Sequence, residues 1–299
     1  MRRSPPANNP LITILVGAIF ISFSGVWVAW SNLDPAVSAF YRVFFGTVFL
    51  FIGCLWRKEL HKIEGKSIFL IFLCSLAFAA DLVCWHASIN YIGPGLSTII
   101  GNFQVFVLTF ISITVFGERI SIRFLISVPL AIIGLFLVIG LDWNSLGENY
   151  FFGIFLALLT ALFYSVFLLA MRRLQAKQPH VSSFYNLMIV SFIASLMLLP
   201  AIGFSGASFA IPTVSSFGAV VCLALFSQTI GWVLIANSLP RVIPSIAGLL
   251  LLLQPALSFI WDVLLFDRYT TLVNWVGVGL VLAAIYLGMS SSRKAASSE

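Results

Sequence analysis

Charge is what this chain has least of. Only 9% of its 299 residues are Asp, Glu, Lys or Arg, where a soluble domain carries about a quarter. Hydrophobic residues fill 61% and the mean hydropathy is +1.08, so no water-soluble fold could hide the apolar surface. Histidine is also scarce, with three in all, and His61 and His180 fall in or beside polar loops. No HExxH pair, GxSxG elbow or acidic metal triad is present, which denies an intramembrane enzyme its nucleophile, base or metal. The expectation is no enzyme, no metal and no cofactor. Cys54, Cys74, Cys84 and Cys222 fall inside apolar stretches without metal-type spacing and read as buried structural thiols. No filter-like ring or re-entrant segment marks a channel.

What the chain does have is long apolar runs. A hydrocarbon core about 30 Å thick takes roughly 20 apolar residues per helix, and ten such stretches can be marked. They run Leu11 to Ser31, Pro35 to Trp56, Ser67 to Asn90, Pro94 to Phe116, Ser121 to Leu141, Phe151 to Met171, Val181 to Gly203, Thr213 to Asn237, Pro244 to Phe266 and Leu272 to Met289. Membrane β-strands would be about ten residues long and would alternate; these runs are twice that and apolar throughout. The first run lacks a small-residue cleavage site near Ser31 and reads as a retained helix.

The net charge of +6 reports topology rather than nucleic acid, because the cations are spread over alternate helix ends and form no stripe. Arg2, Arg3, Arg57, Lys58, Lys62, Lys66, Arg119, Arg123, Arg172, Arg173, Lys177, Arg241, Arg293 and Lys294 all fall on one side, and Arg268 alone falls on the other. The positive-inside rule then puts both termini in the cytoplasm. Trp56, Trp143, Tyr150 and Tyr269 lie at helix ends, where interfacial aromatic belts form.

The second half reads as a diverged copy of the first. PAVSAFYR at 35–42 and PHVSSFYN at 179–186 share five of eight residues at an offset of 144. Pro94 and Pro244, Gln104 and Gln254, and Phe116 and Phe266 pair at an offset of 150. Gly17 and Gly153 pair at 136, and the match slips by one to three residues around the third and eighth helices. Five helices per copy is odd, so the copies enter the membrane in opposite orientations. The expected fold is an all-α integral membrane protein of ten transmembrane helices in two inverted repeats, 1–145 and 146–299. Alternating access around a midplane site follows from that count as a hypothesis.

Intramembrane polar groups are the site candidates. Arg42 lies seven residues into the second helix, about 10 Å deep at 1.5 Å per residue; Asp81 lies nine residues from the end of the third, roughly 14 Å deep by the same rise. Two readings stay open: a structural ion pair, or an Asp81 proton or cation acceptor tuned by Arg42 and coupled to export, with protons as the candidate coupling ion. His86, five residues on, reads as a packing residue or a relay. Asn102, Gln104 and Gln254 reach mid-bilayer, where amides need partners; they either stitch helices or face a wet cavity. Pro94 and Pro244 begin helices, where the missing N–H costs little, while Pro255 lies mid-helix as a kink; the three are hinge candidates.

The chain also resembles the EamA-type, ten-helix members of the drug/metabolite transporter superfamily over essentially its full length. The resemblance rests on FSGVW in the first helix, Arg42 in SAFYRVFFG, DLVCWHASINY closing the third, VFGER at 115–119 and the small-residue runs of the fifth and tenth. The second half departs with Asp267 and Arg268 where the family often has Gly-Glu. The resemblance implies a plasma-membrane carrier, in bacteria the inner membrane, typically an exporter of amino acids, drugs or other metabolites; aromatic amino-acid exporters are among its members. It further implies a central cavity lined by the first, third, fourth, sixth, eighth and ninth helices. Trp27, Trp85, Tyr164, Gln228 and Trp232 fall inside those helices, as cavity wall or as packing, and aromatic walls with few polar anchors suit a flat or amphipathic solute. Uptake of a nutrient is the alternative direction. The expected partners are a small-molecule solute and membrane lipid, without nucleic acid, and the expected assembly is a monomer or weak homo-oligomer.

Overall fold

The computed structural model describes residues 9–61, 64–118, 120–140 and 149–296. The halves' boundary at 145/146, Trp143, Arg2, Arg3, Lys62 and Arg119 lie outside them. Among the described residues every regular element is helical, and ten helices are long and apolar enough to cross a membrane. We label them α1 (Pro10–Ser31), α2 (Pro35–Arg57), α3 (Gly65–Ile92), α4 (Leu96–Thr114), α5 (Ile122–Ile139), α6 (Tyr150–Lys177), α7 (Ser183–Ser205), α8 (Val214–Arg241), α9 (Pro244–Phe266) and α10 (Leu272–Met289).

Local chemistry sets the ends. Pro10 and Pro35 open α1 and α2 where no amide hydrogen is missed, and the Asn9 and Asp34 side chains accept from Leu11 and Ala36 N–H at 3.1 and 2.9 Å. Ser182 and Thr213 cap α7 and α8 in the same way. Gly140 and Gly206 end α5 and α7 at φ of 65° and 67°, a conformation glycine adopts without steric cost.

Pro94 does not start a fresh helix. Helical backbone runs unbroken from Gly65 to Gly101, yet that run folds back on itself: a Cβ on Gly101 would lie 3.9 Å from Trp85 Cδ1, whereas a straight helix would separate those residues by about 24 Å at 1.5 Å per residue. The reversal falls between the end of α3 at Ile92 and the start of α4 at Leu96.

Four spans are interrupted near mid-membrane. α1 breaks at Phe23, α4 at Asn102–Phe103 and α9 at Leu252, while α8 widens into a π-helix over Leu223–Gly231. Pro255 accounts for the break in α9, since it removes an amide and crowds the carbonyl four residues back. In the π segment, the Thr229 hydroxyl donates to Ala224 O, five residues earlier, at 2.9 Å.

Packing is densest between α6 and the α3–α4 hairpin, between α5 and α10, and between α2 and α7. α1 lies against α8 and α9. Backbones meet at glycines: a Cβ on Gly17 would approach Gly231 O to 2.8 Å, one on Gly277 would approach Gly134 O to 2.6 Å, and one on Gly153 would meet Tyr91 and Ile92. Small residues let helices approach in a membrane, where lipid is as apolar as leucine. Cys54 and Cys74 are buried, Cys84 and Cys222 half-buried, and all four thiols are free. Trp56 and Tyr269, 88% and 87% exposed, hold the expected helix-end positions.

The helix ends that carry Arg57, Lys58, Lys66, Arg172, Arg173, Lys177 and Arg241 share one face. There the Tyr185 hydroxyl donates to the His61 carbonyl, His180 lies 3.3 Å from Glu64 and Arg172 Nε donates to Leu239 O at 3.2 Å. We call this the basic face.

Candidate functional site

Polar side chains from six spans form a layer at mid-depth. Arg42 of α2 donates through Nε to Gln228 Oε1 of α8 at 3.1 Å, and Gln228 Nε2 donates to Ser191 Oγ of α7 at 3.0 Å. Gly46, one turn below Arg42, makes room for Gln228: a Cβ there would overlap the glutamine Cγ. Asp81 of α3 and Tyr164 of α6 stand in the electric field of Arg42, and Gln254 of α9 lies near the Tyr164 hydroxyl with its own Nε2 buried and without a partner. Arg42 and Asp81 nevertheless form no ion pair, since the four ion pairs among the described residues lie elsewhere. The guanidinium turns to a neutral amide instead, which leaves Asp81 without a touching cation.

Beneath this layer is an aromatic floor. Phe78, Phe167 and Trp232 each sit about one helical turn nearer the basic face than Asp81, Tyr164 and Gln228. Phe78 stacks on Phe167 at 4.6 Å, and Trp232 sets its edge against Phe167 at 4.9 Å and Tyr164 at 6.0 Å. All three floor residues are at most 2% exposed. Arg42, Asp81, Trp85, Tyr164 and Gln254 above them are partly accessible.

The remaining candidates divide. Trp27 joins a second aromatic group with Phe23, Trp30 and Phe226 on the far side of the polar layer, and its indole N–H has no acceptor. Trp85 lies against the His86 ring at 4.9 Å. His86 Nδ1 donates to the Leu82 carbonyl of its own helix at 2.6 Å, and Asn102 Nδ2 donates to Thr98 O at 2.8 Å; both thus serve their own backbone. Gln104 is wholly buried, with no partner for its Nε2 or its Oε1. Pro255 is buried beside Gln254, and Pro244 opens α9 as its first residue.

A latch at the basic face escapes reasoning from depth alone, because its members sit at helix ends. The Ser245 amide donates to Ser112 Oγ at 3.1 Å and its hydroxyl reaches Glu118 Oε2 at 3.5 Å. Arg172 bonds Leu239 O and lies 5.1 Å over the Phe116 ring. Burial pushes the Glu118 carboxyl above its ordinary 4.5, against the pull of Ser112, Arg172 and Ser245. Its one sequence signal was the Glu of VFGER. Gly46 and Ser191 also went unread, although Gly46 shares a helical face with Arg42 four residues earlier.

The two faces are closed unequally. Towards the basic face, 104–114 of α4 packs along 244–251 of α9, and the end of α6 meets the end of α8. Towards the other face, among the described residues, neither the part of α4 ending at Gly101 and 253–266 of α9 nor α1 and α3 make comparable contact. A cleft of about 740 Å³ on the basic face, lined by Arg57, Gln175, His180, Asn237 and Arg241 among others, is separate from the polar layer.

Comparison with known proteins agrees with this architecture. A protein described as an uncharacterized transporter from Archaeoglobus fulgidus is 24% identical over 282 residues, spanning 92% of this chain and 94% of its own. A crystal structure with 14% identity superposes with a TM-score of 0.81 over 95% of this chain and 98% of the other, a likeness of fold. The description of the EamA-like transporter family matches twice, over residues 8–140 and 151–289. The chain is therefore a multi-pass membrane transporter rather than an enzyme, and it belongs to the EamA-like transporter family.

Proposed function

We propose that this protein is a secondary carrier that moves a small amphipathic organic solute, such as an amino acid or a drug-like metabolite, out of the cytoplasm by alternating access. The observation that carries the reading is the unequal closure around a mid-depth polar layer. Side chains above the aromatic floor are partly accessible, and below it the α4–α9 and α6–α8 contacts close the bundle. The positive-inside rule makes the basic face cytoplasmic, so the chamber opens away from the cytoplasm.

An inverted repeat supports the second state. Exchanging α1–α5 for α6–α10 maps the contact of α1 with α8 onto that of α6 with α3, and α1 with α9 onto α6 with α4. Gly17 and Gly153 mark the two matching crossings, and the family description matches once in each half. Two copies of one packing scheme let either face close with the same contacts. Asp81, without a touching cation, suits a proton-binding role, and export driven by proton entry follows from it.

The test is counterflow of labelled amino acids and cationic drugs in proteoliposomes, at imposed and collapsed pH gradients. Saturable flux with counter-exchange is the expected outcome; flux that never saturates would mean a channel and end the carrier reading. Asp81→Asn is expected to remove the pH dependence of transport while the protein still folds. Transport that keeps the wild-type pH profile would end the coupling role of Asp81.

A further inference from the structure

Gln104 and Gln254 occupy matching positions in the two halves, 150 residues apart, yet they are buried to different degrees. Gln254 is partly accessible and lies beside the Tyr164 hydroxyl, and its Nε2 alone is buried without a partner. Gln104 is 0% exposed, and neither its donor nor its acceptor is bonded. A buried amide without partners destabilises the arrangement that buries it, and alternatives of the same volume without polar atoms are common in the apolar core. Its position tells where the cost falls. Gln104 begins the part of α4 that packs against α9 towards the basic face, where a Cβ on Gly248 would touch Leu108 at 2.9 Å and Val105 at 3.3 Å. Gln104 therefore stands at the start of the segment that closes that face.

We infer that Gln104 and Gln254 exchange roles between the two states of the carrier. With the basic face closed, Gln254 faces the chamber and Gln104 is sealed without partners; with that face open, Gln104 meets the solute or water and Gln254 is sealed. This rests on the alternating-access reading above and adds to it a site residue specific to each state. The stranded amide also keeps the closed state from becoming too stable to leave, which a leucine at 104 would not do.

The two substitutions should then act in opposite directions. The reporter is the alkylation rate of Leu108→Cys, at the α4–α9 contact, by N-ethylmaleimide in a chain whose four native cysteines are alanine. Gln104→Leu is expected to slow alkylation about tenfold, the population ratio that 1.4 kcal/mol sets. Gln254→Leu is expected to speed it. Should Gln104→Leu fail to fold, Gln104→Met makes the same prediction with a longer, unbranched side chain. Arg172→Ala, which cuts the latch, serves as the separate control: it should speed alkylation and shorten the distance between spin labels at Trp30 and Tyr91 on the opposite face. If Arg172→Ala does both while Gln104→Leu leaves the rate unchanged or raises it, the exchange is overturned and the carrier reading stands. If Arg172→Ala opens the basic face without closing the other, the alternating-access reading falls as well.

Discussion

Arg42 shows how little a single intramembrane charge discloses until its partner is known. Its depth matched that of Asp81, so pairing was the natural expectation, yet the guanidinium takes the Gln228 carbonyl oxygen and the glutamine in turn takes Ser191. Gly46 makes this chain of bonds sterically feasible. Gly46→Ala should therefore displace Gln228 and cost about 1–3 kcal/mol by overpacking, read as a lowered thermal midpoint together with weakened solute binding; a variant indistinguishable from the parent would show that Gln228 is free to move. The polar candidates stood out in the sequence because polar atoms in lipid are rare. Their partners were not, because which amide turns to which carbonyl depends on helix rotation, and hydropathy carries no record of it.

Helices were the most readable level. Nine of the ten spans lie within four residues of their expected limits and α6 runs on past Met171 to Lys177, since length and apolarity alone decide whether a segment can cross. The interruptions were less readable. Pro255 announced the break at Leu252, but nothing comparable in the sequence announces those at Phe23 or Asn102–Phe103, or the π segment. The glycines of α5 and α10 had been read only as small-residue runs, and the structure shows what they do: Gly134 and Gly277 bring two backbones into contact. A methyl on Gly277 would meet Gly134 O and Val138 N, both at 2.6 Å, and main chain cannot step aside as a flexible side chain can. Gly277→Ala should lower the thermal midpoint in detergent, by a loss of about 1–3 kcal/mol, and more than Gly279→Ala, where the added atom meets nothing. Equal effects at the two positions would refute the contact.

For the molecule as a whole, the pH response of the latch follows from Glu118. Its carboxyl titrates above the ordinary value because closure withdraws it from water. A group with a higher pKa in the closed state than in the open one binds protons on closing. Closure should therefore strengthen as pH falls through the raised value, and reach its full effect below the ordinary 4.5. Cysteine accessibility at Leu108→Cys, followed from neutral to acidic pH, should decline in the parent chain and stay level in Glu118→Gln; a decline in both would assign the response to another group. None of this closure was visible in the sequence, whose matches between the halves carry no sign of which face is shut. Under the proposed alternating access, the π segment of α8 offers a way to reverse that asymmetry. Its rings hold one residue more than those of an α-helix, so moving the junction with the α-helix along the chain would turn the residues it passes by about 100°. Trp232 is the first residue beyond that junction. A sliding defect of this kind could swing its indole off Phe167 and unblock the passage while the helix stays intact from end to end.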